Sequence, residues 1–264
     1  MSGPFQIASG SVVGRDHRVV YKNNQDALAV TEYEGLTIMV VADGCSSGLK
    51  SEVGAQLGVR LVTEHIARMY ASRRAIDWKR LERQVVSQLD VIAQSLGGDY
   101  RKTVEDFLLF TLVGAVLTQE TATFFACGDG VLLINGQVLA LGPYPGNMPP
   151  YLAYRLLESE LRIDPREVNL APVAERPIDS IDSFVLGTDG VDDIVRHAGR
   201  NLPGLEGLVG GIDQFWLNDR YFKGNLDLVS RQLRLMARDF PVANPEHGLL
   251  HDDTTLIVAR RAPY

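Results

Sequence analysis

Cysteine is scarce. Cys45 and Cys127 are the only two in 264 residues, which excludes a disulfide framework and fits a reducing compartment. No apolar run approaches the length needed to span a bilayer, so no membrane association is expected. Met1-Ser2-Gly3-Pro4-Phe5 lacks the basic flank and apolar core of a secretory signal, and a cytoplasmic location is expected. Basic excess is also missing: 26 Lys and Arg stand against 33 Asp and Glu, a net charge of -7, which argues against a nucleic-acid partner. Repeats and low-complexity tracts are absent. What remains, 45% hydrophobic and 22% charged, is ordinary for a globular chain. The length suffices for one large domain with a sizeable core, and one domain over 1–264 is the simplest reading.

The most informative stretch is Leu36-Thr37-Ile38-Met39-Val40-Val41-Ala42-Asp43-Gly44. A short apolar run rich in β-branched residues reads as a buried strand. It stops abruptly at Asp-Gly, and a carboxylate is costly to bury unless it is paired or holds a cation. The same pattern returns in Phe184-Val185-Leu186-Gly187-Thr188-Asp189-Gly190.

Around these, strands are expected at 5–13, 26–32 and 36–43, the last two joined as a hairpin through Glu34-Gly35. Residues 15–18 read as a polar loop. Residues 51–70 read as a helix with Ser51 as N-cap, and 77–96 as a second helix capped by Asp77 and closed by Gly97-Gly98. Strands at 107–118, 121–127, 130–135 and 138–141 read as a meander. A proline-rich, mixed region at 143–183, with a short helix near 150–160, reads as a flap-like insertion. Then come a strand at 183–188, helical segments near 204–216 and 225–239, and a final strand at 254–259. Paired helices after an antiparallel hairpin make the fold class α+β.

Asp43, Asp129, Asp189 and Asp252 thus all stand at strand boundaries, and Asp26 starts another strand. Hard divalent cations take oxygen ligands, and a glycine after the acid lets its carbonyl approach an ion. Clustered carboxylates repel unless a cation relieves them. The plain alternative is that each aspartate caps a turn, and spacing alone does not choose between the two.

Five segments in order, Asn23-Asn24-Gln25-Asp26-Ala27, Val41-Ala42-Asp43-Gly44, Ala126-Cys127-Gly128-Asp129-Gly130, Thr188-Asp189-Gly190 and Asp252-Asp253-Thr254-Thr255, resemble the metal-dependent serine/threonine protein phosphatases of the type 2C (PPM) family. The likeness spans about residues 10–259 and is closest to a divergent bacterial branch. It implies a four-layer α-β-β-α sandwich of two antiparallel sheets flanked by helices. It also implies two manganese or magnesium ions: Asp43 would bridge them, the Gly44 carbonyl would bind one, and Asp189 and Asp252 would hold the other. Asp26 would orient water, and Asp129 would serve a third, weaker ion. The implied reaction is in-line hydrolysis of phosphoserine or phosphothreonine in a protein substrate by water activated between the ions.

The sequence departs from the family pattern at Gln25, where Glu is common, at Tyr21, where the phosphate-gripping arginine falls, and at Gly130-Val131, where Ser-Arg is usual. Arg18 and Lys22 are candidates for the missing phosphate contact, and His17 for a phosphate contact or general acid. Lysine lacks the bidentate fork of arginine. His251 beside Asp252 and Cys45 after Gly44 read as incidental, Trp78 and Trp216 as packing residues, and Arg73-Arg74 as a solvated helix edge. Two further readings stay open beside the phosphatase, expected as a monomer: a non-catalytic phosphoprotein-binding module, and a hydrolase of small phosphate esters.

Overall fold

The computed structural model describes residues 4–33, 35–157, 168–240 and 247–262. The chain opens with β1 (Phe5–Val12) and a short helix α1 (Arg15–Val19) where a loop was expected. At five residues, with Gly14 at the N-cap and no capping side chain, α1 leaves no readable signal. The hairpin β2 (Asp26–Tyr33) and β3 (Leu36–Gly44) follows as expected, although Glu34 of its turn lies outside the described residues.

Next come α2 (Glu52–Arg73), α3 (Trp78–Leu96) and α4 (Tyr100–Phe107). Asp77 caps α3 by accepting the Arg80 amide at 3.0 Å, and Gly97, at φ +73°, ends it. Ser51 stands at the N-cap of α2 but makes no capping bond, and its buried hydroxyl has no partner. Helix α4 was not expected. Its polar face hides the pattern, and the strand expected from residue 107 starts three residues later.

That strand is β4 (Phe110–Leu117), followed by β5 (Thr121–Cys127), β6 (Val131–Ile134) and β7 (Gln137–Ala140). They do not form one meander. Between β5 and β6 the chain changes sheets, through Gly128 and Gly130, both in conformations with positive φ (+93° and +135°) that L side chains rarely adopt. A 3-10 turn at Leu152–Leu156 stands where the short helix was expected. Residues 158–167 of the expected insertion lie outside the described residues, and its later part contains β8 (Ala171–Pro177), which joins an edge of a sheet. The chain closes with β9 (Ser183–Gly187), α5 (Val191–His197), α6 (Gln214–Leu217), α7 (Leu228–Ala237) and β10 (Thr254–Arg261).

Two five-stranded antiparallel sheets result, in orders β1-β10-β9-β6-β7 and β2-β3-β4-β5-β8. The expected four-layer α-β-β-α sandwich is borne out. Strand β3 explains why its sequence is apolar throughout: both its faces are covered. Ile38, Val40 and Ala42 pack with Val62 and Ile66 of α2 and Leu81 and Leu89 of α3. Met39 and Val41 point the other way, into the layer between the sheets with Phe124, Phe184, Leu186 and Ile257. Phe124 and Phe184 meet there edge to face, their centroids 5.2 Å apart. On the outer face of the other sheet, Val185, Leu256 and Val258 pack with Phe215, Val229 and Leu233.

Candidate metal centre at the seam of the sheets

Side chains two apart on a strand share a face, so Asp43 continues the Met39–Val41 row and faces the opposite sheet. Asp26 lies directly across from it in the β2–β3 ladder. From the opposite sheet, Asp189 follows the end of β9, and Asp252 precedes β10. Asp129 lies in the crossover between the sheets. The expected acids therefore stand at facing ends of both sheets, although among the described residues the group of acids and histidines whose atoms lie within 4.8 Å of one another is His17, Asp252 and Asp253.

Their electrostatics record this crowding. Asp43 keeps partial solvent contact, yet desolvation and the charges of Asp26, Asp189, Asp252 and Asp129 push its carboxyl well above the usual range. Asp26, 6% exposed, is raised by burial and by Asp253, against the lowering effect of a 2.8 Å hydrogen bond from the Thr188 hydroxyl. Asp189 is pushed up to about 6 by burial, with Asp252 and Asp129 adding to it and a hydrogen bond with Asp43 opposing. Burial likewise raises Asp252 and Asp129.

Oδ1 of Asp26 and Oδ1 of Asp189 are buried with no hydrogen-bond partner. Orphaned, desolvated carboxylate oxygens in an acidic pocket suit a hard divalent cation, so the donor set fits such an ion. Gly44 fits as well. A Cβ there would lie 2.8 Å from the Gln25 carbonyl oxygen and 2.8 Å from the Ser51 hydroxyl, so only glycine lets the backbone pass at the cluster.

Of the other candidates, His17 and Lys22 lie beside these acids and Arg18 turns away. His17 is buried, with Nδ1 2.8 Å from Asp253 Oδ2, a contact that raises its pKa. Atoms of His17, Asp252 and Asp253 all lie within 4.8 Å of one another. Arg18 turns its guanidinium to the Ala237 carbonyl and to Asp239. The Lys22 ammonium donates to the carbonyls of Ser46 and Gly48, just beyond Gly44. Tyr21 is 96% exposed. Cys45 contacts the Ser47 hydroxyl at 3.1 Å, and His251 is held through its amide by Asp193. Trp78 packs on Phe125, centroids 5.0 Å apart.

Three residues were given no role from the sequence. Thr188 holds Asp26. Asp253 stood in plain view beside Asp252. Tyr151 comes from the region expected as a flap, where burial, Cys45 and Asp43 push its hydroxyl up. Nearby, Tyr144 hydrogen-bonds the Gly128 carbonyl at 3.3 Å.

Residues 13–209 match the family model described as protein phosphatase 2C. The chain belongs to that family. Its sandwich is similar to a bacterial serine phosphatase crystal structure, at 14% identity and a TM-score of 0.56, over 98% of this chain and 99% of that one. The serine/threonine phosphatase Stp1 from Staphylococcus aureus aligns at 14% identity and a TM-score of 0.53, covering 98% and 96%. The catalytic domain of the phosphatase PstP, solved in complex with two manganese ions, aligns at 18% and 0.50, covering 97% of each chain. No curated protein sequence matches significantly. At these identities the solved structures establish the fold of this 2C-family chain, and its chemistry rests on its own residues.

Proposed function

We propose that this 2C-family chain is a divalent-metal-dependent phosphatase acting on phosphoserine and phosphothreonine in proteins. The observation that carries the reading is the convergence of Asp26, Asp43, Asp189 and Asp252 from two sheets, with two of their oxygens buried and unpartnered. Asp43, the Gly44 carbonyl, Asp189 and Asp252 would hold two manganese or magnesium ions, with Asp129 available to a third. Bound there, such ions supply Lewis-acid polarisation of the phosphoryl group and a nucleophilic water at neutral pH.

The protein's own groups do the rest. Thr188 fixes Asp26 by one oxygen and leaves Oδ1 free to orient water or take its proton. Lys22 brings positive charge to the loop after Gly44, where a phosphate dianion would enter. His17 is buried beside the cluster with its charged form favoured by Asp253, which suits a donor of positive charge or of a proton. The whole chain is read as one domain, with the Tyr144–Leu156 segment as a wall beside Asp129 and Asp43.

Purified protein is expected to hydrolyse an aryl phosphate only with added manganese or magnesium, and a phosphopeptide with higher kcat/KM. No turnover above background in excess manganese would sink this reading. In its place would stand a phosphoprotein-binding module, which the exposed Tyr21 at the family's arginine position favours.

A further inference from the structure

In the reading above Asp253 serves only to favour the charged form of His17, yet its carboxylate is 2% exposed and accepts three hydrogen bonds. Gly14 donates its amide to Oδ1 at 2.7 Å. Oδ2 takes the Gln25 amide at 2.5 Å and pairs with His17 Nδ1 at 2.8 Å. A buried carboxylate is tolerated when donors surround it, and here the donors have a common origin. Gly14 and Gln25 are the two ends of one loop, and His17 lies inside it.

The loop lies tight against the 250–253 segment. The Arg15 and Asp16 amides bond the carbonyls of Leu250 and His251 at 2.9 and 3.0 Å. A Cβ on Gly14 would come within 2.2 Å of the Asp252 carbonyl carbon, so the two backbones touch. Inside the loop, the Lys22 amide returns to the His17 carbonyl at 2.9 Å, across Tyr21 in a left-handed conformation at φ +57°. At its far end the Gln25 carbonyl accepts the Gly44 amide at 3.1 Å. One carboxylate, itself next in the chain to Asp252, thus closes residues 14–25, whose last member precedes Asp26.

We propose that Asp253 is a positioning residue, which by closing the 14–25 loop sets Asp26 and Asp252 in the acidic cluster and holds Lys22 at its rim. The activity arm of the test rests on the phosphatase reading; the exchange arm does not.

Amide exchange is measured on the full chain without metal or substrate. In the wild type the Gly14 and Gln25 amides, outside any strand, should exchange about tenfold or more slower than those of Asn23 and Asn24. Asp253→Asn sets an amide N–H against donors on one side. It should speed Gly14 and Gln25 about tenfold and open Arg15, Arg18 and Lys22 to trypsin, while Val40 and Val113 in the core strands keep their rates. Manganese affinity, read by titration, and kcat on an aryl phosphate should each drop about 10- to 100-fold, as for groups that orient ligands.

Equal acceleration at Val40 and Val113 would reduce Asp253 to a general stabiliser and overturn the proposal. So would unprotected Gly14 and Gln25 in the wild type, a result that needs no variant to fold. A loosened loop with unchanged manganese affinity would refute the positioning role. A wild type with the expected exchange pattern and manganese affinity but no turnover would instead remove the phosphatase reading and leave the role of Asp253 standing.

Discussion

Asp26 and Asp43 sit directly opposite one another across the β2–β3 ladder; burial and the Asp26 charge hold the Asp43 carboxyl well above the ordinary range, and burial and Asp253 do the same to Asp26. Like charges facing across a ladder destabilise a sheet.

The pH dependence of the metal-free chain follows from this. Asp189 titrates near 6 in the folded state against an ordinary value near 3.8, and Asp26 and Asp43 are also raised. Between those values the folded state binds more protons than the unfolded, so stability falls as pH rises from about 4 through 6 and beyond. Thermal unfolding in a chelator should give a higher Tm at pH 5 than at pH 7.5. Millimolar manganese should raise the Tm at pH 7.5 more than at pH 5, where protons compete for the same oxygens. A Tm that climbs with pH in chelator would contradict the crowding of these acids.

Asp43→Asn and Asp189→Asn test the cluster itself. Each is expected to cost more than ~100-fold in metal-dependent kcat, beyond the range of a group that only orients a ligand. Both should also raise the Tm of the metal-free chain at pH 7.5 by removing a repelled charge. Steady-state kinetics and a thermal melt on the same samples read the two effects. Activity surviving in both variants would rule out Asp43 and Asp189 as metal ligands.

Thr188→Val separates orientation from charge. The hydroxyl donates to Asp26 at 2.8 Å and accepts the Thr255 amide at 3.1 Å, both buried. Valine keeps the shape and leaves Asp26 and the amide without those partners. A loss of about 1–3 kcal/mol in stability is expected, read by denaturant unfolding. Activity should drop by about tenfold, less than for the acids themselves.

Gly58→Ala pits helix propensity against packing. Alanine in the middle of α2 should gain up to ~1 kcal/mol over glycine. Its Cβ, however, would lie 2.3 Å from the Phe110 ring, which is fully buried. Overpacking typically costs about 1–3 kcal/mol, so the net change should be destabilising. Urea unfolding that shows a gain would mean the Phe110 ring gives way freely.

Much of the fold was legible in the sequence because its signals were local. The apolar run to Asp43, the Glu34-Gly35 turn that pairs it with β2, and the Asp77 cap each need only neighbouring residues. The failures were of range. Nothing near Gly128-Asp129-Gly130 says that the chain changes sheets there, because the destination, β9, lies some fifty residues further on. Helix α4 offered Asp99 as a cap, accepting the Lys102 amide at 2.8 Å, but the apolar run after it drew the strand too far forward. For the site, each acid was visible singly and the family likeness grouped them. The roles of Asp253 and Thr188, though both residues stand in those segments, stayed hidden because they lie in partners over 160 residues distant.

The change of sheets at Gly128–Gly130 has a mechanical outcome. Because one half of the sandwich contributes Asp26 and Asp43 and the other Asp189 and Asp252, a cation held among them as proposed would act as a rivet through both slabs. Emptied, the same spot becomes a wedge of like charge prying at their common edge. Loading this protein should therefore stiffen its two halves in concert, with strand amides of β3 and β10 slowing together although they belong to different sheets.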